Sequence, residues 1–182
     1  EELEALLAPI REAYGGDLHR ADPLQSSGGK ADEYGELLPS SVVKMFHEAG
    51  ARPGQRFYDL GSGAGKATAI MWRLGLHATG VELNAARWNA SRDALSRLRA
   101  QASSGPPQAA AARRQLRFVR ASCLDLDLSD ADLVWSSVSN DAVLHDALTY
   151  SLAACRSGAL IVSAYPLRRS PSFSAAAGCP RR

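Results

Sequence analysis

A chain of 182 residues with 46% apolar and 22% charged residues is long enough to bury one core, and its composition excludes a disordered or fibrous protein. A net charge of +2 is too mild to mark a nucleic-acid binder by itself, and no apolar run approaches the roughly 20 residues of a membrane helix. The three cysteines, Cys123, Cys155 and Cys179, lack disulfide or metal-ligand spacing, which favours buried thiols in a reducing, intracellular setting and no metal. The start, Glu1-Glu2-Leu3-Glu4, has neither the positive charge nor the apolar stretch of a signal peptide. The missing initial Met points to a piece of a longer protein.

Leu3, Leu6, Leu7, Ile10 and Tyr14 recur at helical spacing, predicting a helix over 1–14. A glycine-containing polar loop follows to Lys30. Pro39 and Ser40 open a second helix, 40–49, which Gly50 closes. The pattern then alternates: a strand at 56–60, a helix at 66–74, a strand at 77–83, and a long helix at 84–100 that Asn84 caps. Residues 102–115, with Gly105-Pro106-Pro107 and four consecutive alanines from Ala109, form a low-complexity connector. Strands at 116–121 and 132–138, a helix at about 141–155 and a strand at 159–164 complete the series. Strands alternating with helices predict a Rossmann-like α/β fold, a mostly parallel sheet with helices on both faces. Residues 168–182 carry four arginines among serine, proline and alanine, predicting a disordered basic tail. The division expected is an N-terminal helix and loop (1–30), a core (31–167) and the tail. No carboxyl-terminal hairpin is visible, so the sheet is expected to lack its last strands.

The most informative stretch is Asp59-Leu60-Gly61-Ser62-Gly63-Ala64-Gly65-Lys66, placed where a strand turns into a helix. A Walker A loop requires G-x-x-x-x-G-K-[ST]; Leu60 and Ala67 break it. A dinucleotide fingerprint requires glycine where Lys66 stands, and is disfavoured less strongly. The remaining pattern, D-x-G-x-G-x-G, suits a cationic cofactor without phosphates, S-adenosylmethionine. Its glycines let backbone approach a ligand, Asp59 attracts an ammonium, and the following helix start favours a carboxylate. Glu82 ends the next strand about 20 residues on, where an acid takes ribose hydroxyls. The competing reading is a plain strand–helix turn with incidental acids; the agreement of three glycines with two acids favours the cofactor.

Tyr34-Gly35-Glu36-Leu37-Leu38-Pro39, then Phe57-Tyr58-Asp59-Leu60-Gly61-Ser62-Gly63-Ala64-Gly65-Lys66, then Gly80-Val81-Glu82-Leu83, together resemble the catalytic core of the disruptor-of-telomeric-silencing (DOT) type histone lysine methyltransferases. Leu124 to Trp135, and Ile161-Val162-Ser163 with Tyr165-Pro166, extend the resemblance over about 31–167. It implies the class I methyltransferase fold, S-adenosylmethionine as cofactor, a histone in chromatin as acceptor and a nuclear site of action. By resemblance, Tyr34, Gly35 and Glu36 close over the methionyl end of the cofactor as a lid. Asp59, Gly61, Ser62, Gly63, Gly65, Lys66, Glu82 and Leu83 hold the rest, with Ser122 and Cys123 at the adenine position.

This chain departs from the family pattern after the third strand. There the family carries Gly-Asp and an aromatic residue, and this chain carries Ala121, Ser122 and Cys123, so a charge and a stacking ring are lost. At the methyl-transfer end, where the family often has asparagines, Ser136 and Ser137 stand with Asn140 just beyond. Tyr34, Ser136, Ser137, Asn140 and Tyr165 are the candidates for lining the transfer channel. Three readings stay open: a histone lysine methyltransferase, a small-molecule or non-histone methyltransferase on the same fold, and a degenerate cofactor-binding module. The basic tail offers at most a weak contact to nucleic acid.

Overall fold

Parallel strands covered on both faces are continuous apolar runs. β1 (Arg56–Leu60) is accordingly buried from Phe57 onward and β2 (His77–Glu82) from Ala78 onward. The computed structural model describes residues 2–16, 18, 37–104, 114–138 and 142–164. The predicted tail, 168–182, lies outside them. With β3 (Leu116–Arg120), β4 (Leu133–Ser136) and β5 (Leu160–Ser163), the strands form one parallel sheet in the order β3-β2-β1-β4-β5. The helices are α1 (Glu2–Ala13), α2 (Pro39–Glu48), α3 (Lys66–Arg73), α4 (Ala85–Ser104) and α5 (Ala142–Ala153). This is the expected Rossmann-like α/β architecture.

Alternation along β1 sorts the core into two layers. Phe57, with Ala78, Phe118, Leu133 and Trp135, faces apolar residues of four helices: Leu7 and Ile10 of α1, Val42 and Phe46 of α2, Ile70 and Met71 of α3, and Leu95 and Leu98 of α4. Tyr58 and Leu60, with Val81 and Val134, face Leu148 and Leu152 of α5 and the segment that joins β3 to β4. Helices therefore cover both faces. α1 belongs to the same packed body as the sheet, since its Leu7, Ile10 and Ala13 are buried in one core layer and Arg97 of α4 donates to the Ala13 carbonyl.

Local chemistry sets the element boundaries. Pro39 starts α2, where its missing N–H costs nothing. Asn84 caps α4, its Oδ1 accepting from Ala86 N at 2.9 Å and Arg87 N at 3.2 Å. α4 runs to Ser104, beyond the predicted residue 100, because Gln101, Ala102 and Ser103 hold no breaker and the first one is Gly105-Pro106-Pro107. The strand predicted over 132–138 ends at Ser136. Strand order reverses between β1 and β4, so the crevice beyond the carboxyl end of β1 is where such a sheet receives a ligand.

Candidate active site

At that end of β1 the chain turns through Gly61 (φ +82°), Ser62, Gly63 (φ +55°) and Ala64 to Gly65 (φ +86°), the residue before α3. The turn is tied to β2: Gly61 N and Ser62 N both donate to Val81 O at 2.9 Å. Gly65 N closes it on Ser62 O at 2.8 Å.

Two carboxylates frame the turn. Glu82 is 7% exposed; its Oε2 accepts from Gly63 N at 2.8 Å and its Oε1 from Asn84 N at 2.7 Å. One side chain thereby joins the turn after β1 to the start of α4. A carboxylate can accept about four hydrogen bonds, so each oxygen keeps capacity for one hydroxyl. Asp59 is 2% exposed and accepts from Thr68 Oγ1 of α3 at 2.6 Å. Burial raises its pKa to about 7, the Thr68 hydroxyl works against that rise, and the nearby charge of Glu82 adds to it. A buried carboxyl held by the hydroxyl and the backbone N–H of Thr68 is poised to ionise when a cation arrives beside it.

These features fit S-adenosylmethionine. An acid at the tip of β1 suits its ammonium, and an acid with spare acceptor capacity at the tip of β2 suits a ribose diol. Ser62 Oγ, in the turn between them, is buried without a hydrogen-bond partner, a polar atom that a ligand group can satisfy.

The glycines divide their work. A Cβ on Gly61 would lie 3.2 Å from Ser137 Oγ, so Gly61 admits the chain after β4. Gly65 and Gly80 make room for Phe118: a Cβ on Gly80 would sit 2.6 Å from the Phe118 ring, and one on Gly65 would overlap it. Phe118 is the direct register partner of Gly80 across β2 and β3. Ligand clearance is the role expected of all three motif glycines; packing under Phe118 gives Gly65 a second reason.

Ser136 and Ser137 lie at the same crevice, since Ser136 is in register with Leu60. Ser137 Oγ donates to Gly61 O at 3.2 Å, which places it on the turn. Ser136 is fully buried and its Oγ accepts from Val138 N at 3.4 Å, a local bond that leaves it less available. Ser122 Oγ accepts from Leu124 N at 3.2 Å, capping the 3₁₀ turn Cys123–Asp125. Cys123 packs against the α5-side cluster; burial raises its thiol pKa, to which Asp125 and Glu82 add. It is thus close enough to Glu82 to feel its charge. Leu83 is 61% exposed at the tip of β2, an apolar surface beside Glu82. Lys66 is the first residue of α3. Tyr34, Gly35, Glu36, Asn140 and Tyr165 lie outside the described residues. Sequence reasoning did not single out Thr68 or Phe118. A visible hint was glycine at position 80 inside a strand, which marks a close approach by something bulky.

Among solved structures, an RNA methyltransferase from Salinibacter ruber in complex with S-adenosyl-L-homocysteine is 20% identical, with a TM-score of 0.54 over 70% of this chain and 76% of that one. A protein-L-isoaspartate O-methyltransferase is 17% identical, with a TM-score of 0.56 over 89% of this chain and 54% of that one. The C-terminal domain of precorrin-6Y C5,15-methyltransferase from Rhodobacter capsulatus is 19% identical, with a TM-score of 0.51 over 70% of this chain and 62% of that one. These likenesses show the class I methyltransferase fold, and the chain spans less than two thirds of the latter two. No curated protein matches the sequence. The family model for histone methylation protein DOT1 matches residues 24–175, and with most of its length inside that match the chain belongs to the DOT1 histone methylation family.

Proposed function

We propose that this domain methylates the side-chain amine of a histone lysine, using S-adenosylmethionine. The observation that carries the reading is the pair of buried carboxylates, Asp59 and Glu82, on adjacent strand ends around a glycine turn, in a chain of the DOT1 family. When bound, the cofactor supplies a methyl group activated by its sulfonium for in-line displacement.

This chain's residues do the binding and orienting. Asp59 pairs with the ammonium, the turn and the start of α3 receive the carboxylate, and Glu82 takes the ribose hydroxyls. Ser62 and Lys66 stand beside the methionyl end. Leu83, Ser122 and Cys123 border the adenine, with a hydroxyl and a thiol where the family places an acid and a ring. Ser136 and Ser137 line the path of the acceptor amine; by family resemblance Asn140 and Tyr165 share that role, and Tyr34, Gly35 and Glu36 that of a lid over the methionyl end of the cofactor, all five lying outside the described residues. Catalysis by such a site is alignment plus exclusion of water, which lowers the pKa of the incoming lysine and keeps its amine neutral.

The family points to a histone acceptor and hence to chromatin and the nucleus. Arg168, Arg169, Arg181 and Arg182 offer at most a weak contact to nucleic acid. No helix among the described residues is long and apolar enough to cross a membrane.

Transfer of labelled methyl to intact nucleosomes, free histones and small-molecule pools tests the acceptor. Label on a histone lysine is the expected result, and label confined to small molecules overturns it. Glu82→Gln tests the cofactor site, because the amide offers an N–H to a position already facing a backbone N–H. S-adenosylhomocysteine binding should weaken by about 1–3 kcal/mol, roughly fivefold to 150-fold in Kd by calorimetry. Unchanged binding would remove Glu82 from the site.

A further inference from the structure

Thr68 is a buried polar side chain whose placement the cofactor site does not by itself explain. It is completely buried in the first turn of α3. A threonine inside a helix ordinarily turns its hydroxyl back on the carbonyl one turn earlier. Thr68 instead donates across to β1, to Asp59 Oδ2 at 2.6 Å, the short distance of a hydroxyl on an acid. A hydroxyl has a single proton to give, and this one is committed to Asp59.

We infer that Thr68 is a positioning residue for cofactor capture: its hydroxyl fixes one oxygen of the Asp59 carboxylate and leaves the other to meet the ammonium. The inference rests on the cofactor reading above and extends it to a residue that touches no ligand. Three facts support it together. Asp59 is almost wholly buried, so a donor has a large effect on its charge. The hydroxyl of Thr68 opposes the rise in the Asp59 pKa that burial imposes, and does so more than the Thr68 backbone N–H, which a substitution leaves in place. Glu82, at the end of β2, is the charged group acting on Asp59, and it disfavours ionisation, which leaves Thr68 to counter both. The hydroxyl is thereby matched to the ionised, ligand-ready form of the acid. Because Thr68 sits just past the glycine turn, it also fixes the distance from α3 to the tip of β1.

The test compares Thr68→Val, which keeps the shape and removes the donor, with Thr68→Ser, which keeps the donor. Two readouts are taken on the full chain: S-adenosylhomocysteine affinity by calorimetry from pH 6 to 9, and titration of the Asp59 carboxyl by carbon NMR without ligand. For the wild type, the carboxyl should titrate near 7. Thr68→Val should raise that midpoint and weaken binding about tenfold at pH 7, with the deficit shrinking toward pH 9 as Asp59 ionises without help. Thr68→Ser should restore both. A valine variant with wild-type affinity and midpoint overturns the inference, as does a folded serine variant that binds as weakly as the valine one. Failure of the wild type to bind at any pH overturns the cofactor reading instead. If thermal unfolding shows the valine variant to be unfolded, the serine variant and Thr68→Ala carry the same comparison.

Discussion

Gly65→Ala should destabilise the domain by roughly 2–5 kcal/mol, of which about 1–2 is the left-handed backbone and about 1–3 the displacement of Phe118. Gly65 has φ +86°, and an added Cβ would overlap the Phe118 ring and stand 3.1 Å from Ser91 Cβ. Neither neighbour yields readily: Phe118 is buried in the layer beneath α3 and α4, and Ser91 is fully buried on α4. Against a total stability of about 5–15 kcal/mol, such a loss takes the domain close to unfolding at body temperature. Gly54→Ala separates the two contributions. Gly54 has φ +90° with nothing within 4 Å of its added Cβ, so it should lose only the backbone part. Urea midpoints at unchanged m-value measure both. Equal losses at the two positions would remove Phe118 from the account. Recovery of part of the loss in Gly65→Ala/Phe118→Leu would confirm the contact, because neighbours in one packing cluster do not add independently.

That prediction marks where a sequence stops being readable. β1 was legible as a short run with Phe57, Tyr58 and Leu60 after the breaker Pro53-Gly54, and β2 as a short segment held between Gly75 and the Asn84 cap. The α4 cap was legible because an asparagine before a helical run has one local use. Asp59 and Glu82 were legible as strand-tip acids because topology alone puts strand ends together. The role of Phe118 was not, since it depends on the register of β3 against β2, a relation between residues 38 positions apart. Thr68 was missed for another reason. Its hydroxyl could have turned back on its own helix, and only the packing of α3 against β1 shows that it does not. Ser122 shows the same limit: that its oxygen caps the turn Cys123–Asp125 depends on a local fold that its sequence position does not reveal.

The second large effect is on pH dependence. Asp59 has a folded-state pKa of about 7 against an ordinary 3.8, so between those values the folded protein keeps a proton that the unfolded chain has released. Stability is then fully present below the lower value and lost as pH rises through the upper one. One unit is about 1.36 kcal/mol, giving an order-of-magnitude loss of about 4 kcal/mol across the window. On the proposed function, the charged form of this carboxyl is the one that pairs with the cofactor's ammonium. Ligand should accordingly reverse the slope: S-adenosylhomocysteine affinity should rise with pH up to about 7 and then level off, with a proton released on binding below that point. Asp59→Asn isolates the residue, because its amide oxygen can still accept from Thr68 while carrying no charge. The variant should hold its melting temperature from pH 5 to 8, where the wild type declines, and should lose measurable ligand binding. Melting curves against pH, with and without ligand, give both results. A wild-type curve flat over that range would show that Asp59 stays ionised in the free protein, and the ammonium site would then be preformed instead of being charged by its ligand.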